Sequence, residues 1–316
     1  MRIASIDIGT NTLLLLVADI DTMGIIELVH HEERVPRLGR EVDKKKVIGI
    51  AAFDKIGWIL NEYKNLAVQN RCDAIVACAT SAVRDAANRS DFISYLRSTT
   101  GINVEVLTGE EEAVWSYRGA LNNIKGLHLP SAVIDIGGGS TEVSFPQDEP
   151  PDKSPLRHMS YQLGSVRLTE RYFQHNPPAP VELDAAKKAI RSAWNVIEGL
   201  DGGRFDLVGA AGTVTTLACL DQNLPGFVLE RVSGYRIPRE HVEAWLEKLS
   251  KMTPEQIGSL SQATLGRSDI LTAGVLILAE FMTRFHFKEV IATDRGLRYG
   301  MVIREWENMQ THQKTP

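Results

Sequence analysis

The chain has 316 residues, 43% hydrophobic, 7% aromatic and 24% charged, an ordinary globular composition with length for about two domains. A formal net charge of -5 argues against a nucleic-acid partner, which needs a basic footprint. The longest N-terminal apolar run, residues 13–18, is too short for a membrane span and has no cleavage site near it, so no membrane partner or signal peptide is expected. Three cysteines (Cys72, Cys78, Cys219) without Cys-x-x-Cys spacing read as reduced core thiols, and the protein reads as cytoplasmic.

In chain order, residues 2–8 and 13–20 read as strands joined by a tight turn, with a third strand over 25–29 completing a meander. Apolar residues at helical spacing predict a helix over 47–69, followed by a strand at 73–79 and a helix at 90–99. A strand at 102–107 and a helix at 110–122 follow. The pattern then restarts: strands at 132–136 and 142–145 flank a glycine turn, and a proline- and charge-rich loop (146–155) leads to a strand at 157–163. A proline breaker precedes a helix at 181–200, then a strand at 205–209, a helix opening at 212–220, an apolar helix at 270–285, a strand at 290–292 and a last helix at 300–308. Alternation of this kind points to an α/β architecture. The expected division is a domain over 1–125 and a second over 126–296, with the C-terminal stretch 297–316 returning to the first.

Two near-identical phrases dominate the chemistry: Asp7-Ile-Gly-Thr-Asn-Thr12 and Asp135-Ile-Gly-Gly-Gly-Ser-Thr-Glu142. Each ends an apolar run on an acid and continues into glycines and small hydroxyl residues. Such turns let backbone N–H groups approach an anion. Gly9, Thr10, Asn11 and Thr12 in one copy, and Gly137, Gly138, Gly139, Ser140 and Thr141 in the other, are therefore candidate phosphate contacts. Asp135 and Glu142, with Asp7, are enough acid for a Mg²⁺ ion, which takes few carboxylates and keeps its waters. A hairpin turn alone would explain one or two of the glycines, not three between Asp and Glu.

A third strand–turn–helix phrase contains Gly212 and Thr213, where a helix N-terminus favours anions. Arg84 follows the strand at 73–79 on the edge where open α/β sheets bind ligands, and its guanidinium suits a phosphate. The bland alternative is an ion pair with Asp85 or another acid. Arg267 is a weaker candidate of the same kind. In Thr108-Gly-Glu-Glu-Glu112, Thr108 and Glu111 form a capping-box pattern, which leaves Glu112 either a solvated first-turn acid or a working group. The stretch 34–46 is locally basic and reads as a solvated loop or as a guide for a polyanion. No P-loop motif is present.

Together with Arg37-Leu-Gly39, Thr80-Ser-Ala-Val-Arg84, Gly109-Glu-Glu-Glu-Ala113 and Gly296-Leu-Arg298, these phrases resemble the exopolyphosphatase/guanosine pentaphosphate phosphatase family of the actin–hexokinase–Hsp70 superfamily. The resemblance runs over nearly the whole chain. It implies two actin-like (ribonuclease H-like) domains with a cleft between them, and removal of a terminal phosphate from inorganic polyphosphate or guanosine pentaphosphate with Mg²⁺. It further implies that Glu112 is the catalytic base, Asp135 and Glu142 the metal-linked acids, and the glycine turns the phosphate loops. Two departures stand out: Leu14, where the family commonly has His or Arg, and Tyr299, where it has Glu. The chain resembles the short, two-domain form, and a homodimer is the default expectation. The rival readings are an ATP-dependent sugar or acid kinase of the same superfamily and a non-catalytic sensor of polyphosphate or alarmone.

Overall fold

The structure, a computed structural model, describes residues 1–124, 126–147 and 156–313. Most of the loop expected over 146–155, and the end of the stretch expected to reach 316, lie outside the described residues. The chain divides into two compact units, Met1–Asn123 with Arg295–Pro316, and Ile124–Asp294.

In the first unit β1 (Arg2–Ile8), β2 (Leu13–Ile20) and β3 (Ile26–Arg34) form the antiparallel meander that the alternating apolar residues predict. Then come α1 (Val42–Lys45), α2 (Ile50–Gln69), β4 (Ala74–Ala79), α3 (Ser81–Arg84), α4 (Arg89–Thr100), β5 (Val104–Val106) and α5 (Gly109–Leu121). The sheet order is β3-β2-β1-β4-β5, with β4 parallel to β1 and β5 parallel to β4.

The second unit repeats the plan. An antiparallel meander of β6 (Ser131–Ile136), β7 (Thr141–Pro146) and β8 (Leu156–Tyr161) precedes α6 (Ser165–Tyr172) and α7 (Pro180–Trp194). Next come β9 (Asp206–Ala210), α8 (Ala211–Asp221), α9 (Leu229–Val232), β10 (Arg236–Pro238), α10 (Arg239–Leu249), α11 (Pro254–Gly258), α12 (Leu271–Arg284) and β11 (Glu289–Ala292). The order is β10-β11-β9-β6-β7-β8, with β6, β9 and β11 parallel. The last helix, α13 (Leu297–Gln313), belongs to the first unit.

Strand periodicity sorts the side chains of β1. Ala4, Ile6 and Ile8 join a core with Ile56, Leu60 and Phe92 of α2 and α4, whereas Ile3 joins Tyr299, Val302 and Ile303 of α13. Asp7, odd-numbered like Ile3, therefore stands on the α13 face of its sheet. In β6 and β7 the same rule sends Ile134, Ile136, Val143 and Phe145 into the core of the second unit and Asp135 and Glu142 to the opposite face.

Several boundaries differ from the expected ones for local reasons. α2 begins at Ile50, not at 47, because the Asn88 amide bonds both the N–H and the C=O of Ile48 (each 2.9 Å) and holds that segment extended. α7 ends at Trp194, short of 200, in a turn that closes from Ile197 N–H to Trp194 C=O and passes through Gly199 at φ +81°. α13 starts earlier than expected, at Leu297, because Tyr299 and Gly300 already bond the Gly296 carbonyl. Helices α6, α10 and α11 had no counterpart in the expected elements, although Val242, Trp245, Leu246 and Leu249 of α10 recur at helical spacing and were a readable signal.

α5 and α13 cross at near-backbone contact. A Cβ on Gly119 would run into the Gly296 carbonyl, and one on Gly300 into the Trp115 carbonyl. Neither obstacle is a flexible side chain. Gly119→Ala is therefore expected to cost about 3 kcal/mol, the upper end for overpacking, and to lower the urea midpoint with an unchanged m-value. A wild-type midpoint would show that the two helices separate freely.

Candidate active site

The candidate residues stand at the C-terminal ends of parallel strands, the edge where α/β sheets bind ligands. In the first unit, β1 ends at Asp7 and the Gly9 turn, β4 leads to Arg84, and β5 leads to α5 with Glu112. In the second unit, β6 ends at Asp135 and the Gly137 turn, and β9 ends at the turn before Gly212.

The repeated phrase is repeated as geometry. Gly9 N–H donates to the Thr12 carbonyl at 2.9 Å, and Gly137 N–H to the Ser140 carbonyl at 3.0 Å. In both turns the glycine has a reason: an added Cβ would stand 3.0 Å from Thr12 O or 3.1 Å from Ser140 O. The remaining turn carbonyls are held by different partners in the two units. In the second unit the carbonyls of Gly137 and Gly138 accept from Ser165, Val166 and Arg167 N–H at the start of α6, and Arg167 Nε donates to Gly139 O at 2.6 Å. A trans peptide points its N–H opposite to its C=O. Fixing three carbonyls on α6 thus turns the N–H groups of Gly138, Gly139 and Ser140 the other way, as an anion would require. In the first unit the loop 37–39 does the same work: Gly39 N–H bonds Thr10 O at 2.7 Å and Arg37 N–H bonds Asn11 O at 3.1 Å, which turns the N–H groups of Asn11 and Thr12 outward.

The two hairpins also differ at the acids. Asp135 is paired in register with Glu142, which puts two carboxylates side by side on one face. Asp7 is paired with Leu14. Like charges opposite each other on a sheet repel, so a cation between Asp135 and Glu142 would relieve that repulsion. Glu142 is 2% exposed, and its Oε1 accepts from Ser160 Oγ at 2.7 Å. Among the described residues no group of three or more His, Cys, Asp or Glu side chains gathers in metal-holding geometry. Mg²⁺ needs only one or two carboxylates beside water and phosphate oxygens, so the pair suits it.

Glu112 is not a solvated acid. It is 8% exposed, and its Oε2 accepts from Arg84 Nη1 at 2.8 Å. The same Nη1 donates to Leu107 O at 2.9 Å, while Arg84 Nη2 is buried without a hydrogen-bond acceptor among the described residues. Arg84 thus makes the ion pair with an acid that was its bland alternative, and keeps a donor in reserve. The neighbouring Glu111 caps α5: Glu111 N–H donates to Thr108 Oγ1 at 3.2 Å, and Thr108 N–H to Glu111 Oε2 at 2.8 Å. The backbone bond from Thr108, then its hydroxyl, hold the Glu111 carboxyl below the usual range. Capping therefore falls to Glu111, not to Glu112. Cys78, in register with Asp7 on β4, has its thiol pushed well up by burial, with the charges of Asp7 and Glu112 adding to the effect. It stays a protonated core thiol, and all three cysteines are unbridged.

Two hydroxyls expected to face phosphate do other work. Thr141 Oγ1 donates to Leu163 O at 2.6 Å, and Thr141 is fully buried. The Thr213 side chain packs against α12 where Gly274 leaves room for it, so only its backbone faces the turn. Gly212 lies at the start of α8, whose N-cap, Ala210, supplies no side-chain acceptor. Arg267 Nη1 reaches Gly212 O and Thr216 Oγ1 at 3.3 Å each, and so buttresses this turn. Sequence reasoning missed Gly164, Arg167 and Ser160. The first two were detectable as Gly164-Ser-Val-Arg167, a glycine between a strand and a helix.

Residues 16–309 match the Ppx/GppA phosphatase family. Exopolyphosphatase 2 of Mycobacterium tuberculosis is 32% identical over 291 residues, covering 88% of this chain and 89% of the relative. Exopolyphosphatase 1 of Mycobacterium bovis is 29% identical over 316 residues, covering 98% and 89%. The crystal structure of an exopolyphosphatase-like protein superposes with a TM-score of 0.88 at 29% identity, covering 96% of this chain and 97% of the other. The Ppx/GppA family member of Aquifex aeolicus superposes with a TM-score of 0.80 at 28% identity, covering 98% of each. With paired sheets, paired glycine turns and a match over nearly its whole length, this chain belongs to the Ppx/GppA phosphatase family.

Proposed function

We propose that this protein removes the terminal phosphate of inorganic polyphosphate by in-line attack of water, with Glu112 as general base. The observation that carries this reading is the pair of glycine turns, each with its carbonyls bonded backward so that its N–H groups are presented to an anion. The exopolyphosphatase relatives supply the substrate class. Glu112, fixed through Oε2 on Arg84, orients a water and takes its proton. Arg84 Nη2 donates to the terminal phosphate, so one guanidinium positions both base and phosphorus. In each unit the turn N–H groups, Asn11 and Thr12 in the first and Gly138, Gly139 and Ser140 in the second, are offered to phosphate oxygens, since phosphoryl transfer depends mainly on positioning and electrostatics. Asp135 and Glu142 would hold Mg²⁺, with Ser160 fixing the Glu142 carboxylate; when bound, the ion neutralises charge on phosphate oxygens. Guanosine pentaphosphate, whose terminal phosphate poses the same chemistry, is the second substrate to compare.

The test is phosphate release in Mg²⁺ from long polyphosphate, tripolyphosphate and guanosine pentaphosphate. Release from long polyphosphate supports the reading. Tight binding without release would make the protein a sensor, and ATP use only with a small acceptor would make it a kinase.

A further inference from the structure

The basic stretch is built onto the first phosphate turn. Residues 34–46 hold six cations against two acids in a chain of net charge -5. The stretch is no free loop, because its backbone is pinned by Gly39 N–H to Thr10 O (2.7 Å) and Arg37 N–H to Asn11 O (3.1 Å). An added Cβ on Gly39 would collide with Thr10 Cγ2, so the approach is as close as a backbone allows. Arg37, Glu41 and Lys46 are each held at positive φ (57°, 60° and 56°), an arrangement that Asn and Gly tolerate better than long charged residues.

The cations are not equivalent. Arg34 bonds Glu32, Lys45 pairs with Glu41 at 2.8 Å, and Lys46 pairs with Asp43 at 3.3 Å. Both acids of the stretch are thereby engaged. Arg40 and Lys44 are exposed, and their side chains make no hydrogen bond or ion pair among the described residues. Arg40 follows the Gly39 anchor directly, and Lys44 lies one helical turn further on, in α1. Arg40 and Lys44 both act on the Glu41 carboxylate, but Lys45 already holds that acid, so three cations share one charge and the excess beside the phosphate turn acts on an anion longer than the turn can hold.

We propose that Arg40 and Lys44 form an accessory subsite for the inner phosphates of a long polyphosphate chain. This rests on the phosphohydrolase reading above and deepens it: the substrate preferred is a long linear polyanion, and a short triphosphate or guanosine pentaphosphate gains nothing from the subsite. No covalent step is involved.

The experiment compares the wild type with Arg40→Ala/Lys44→Ala, in hydrolysis and in direct binding of long polyphosphate and of tripolyphosphate across a salt series. The expected result is about a fivefold rise in KM and Kd for the long chain, with a shallower salt dependence and unchanged values for tripolyphosphate. Lys45→Ala/Lys46→Ala removes the same charge from side chains already paired, and is expected to change long-chain binding less. Equal weakening for both lengths, equal weakening in both double variants, or no weakening at all would overturn the subsite. If the wild type releases phosphate from neither substrate, the hydrolase reading fails, and the binding arm still decides the subsite. Circular dichroism excludes a folding defect, which surface substitutions in and beside a four-residue helix are not expected to cause.

Discussion

Glu112→Gln is expected to slow phosphate release by about 10²–10⁴-fold while leaving the protein folded and able to bind substrate. The amide oxygen of glutamine can still accept from Arg84 Nη1, so the half-buried guanidinium keeps a hydrogen-bond partner. The cap of α5 is untouched, because it is made by Thr108 and Glu111. The proton acceptor is lost, and with it the negative charge that faces Arg84. Single-turnover phosphate release, read beside a thermal melt, separates the two effects. Near-wild-type turnover in the variant would remove Glu112 from the chemistry. Glu110→Gln is the matched control: it alters the same helical turn and is expected to leave turnover unchanged.

The second large effect is expected at Gly164, a residue that touches no substrate in the proposed scheme. A Cβ there would overlap the backbone of Gly138 and Gly139. Backbone cannot swing aside as a side chain can, so Gly164→Ala must push the Gly137–Ser140 turn away from α6. The bonds from Ser165, Val166 and Arg167 to the turn carbonyls would lengthen, and the N–H groups they aim would tilt. A displacement near 1 Å at a positioning group is worth about 10² in rate, and kcat/KM is expected to fall by that order. Stability is expected to fall by about 1–3 kcal/mol. Arg167→Ala, which releases only Gly139, is expected to give a smaller loss. Wild-type kcat/KM in Gly164→Ala would show that the turn is not held from α6.

Local rules made much of this architecture readable. The alternating runs of β1, β2, β6 and β7, the glycines that close the hairpins, and the Thr108–Glu111 cap all depend on residues within a few positions of each other. Short-range sterics and hydrogen bonding decide such features. The duplication of the phosphate-turn phrase likewise became a duplicated backbone closure, since Gly9 and Gly137 face the same crowding from a carbonyl three residues on.

Tertiary structure decided what spacing could not carry. Glu112 and Arg84 lie on different helices, and whether the acid would be solvated or buried against the guanidinium depended on how β4 and β5 bring α3 and α5 together. The orientation of the turn N–H groups depended on distant segments, 37–39 in one unit and the start of α6 in the other, because a carbonyl takes its direction from whatever donor reaches it. Thr141 and Thr213 look like phosphate ligands by residue type, yet Leu163 claims one hydroxyl and the space beside Gly274 claims the other side chain. By itself the sequence determined the elements, the acids and the turns, which follow from local propensity and period. The partner of each polar group was left to the fold, because hydrogen bonds are short and directional and only packing sets which groups come within reach.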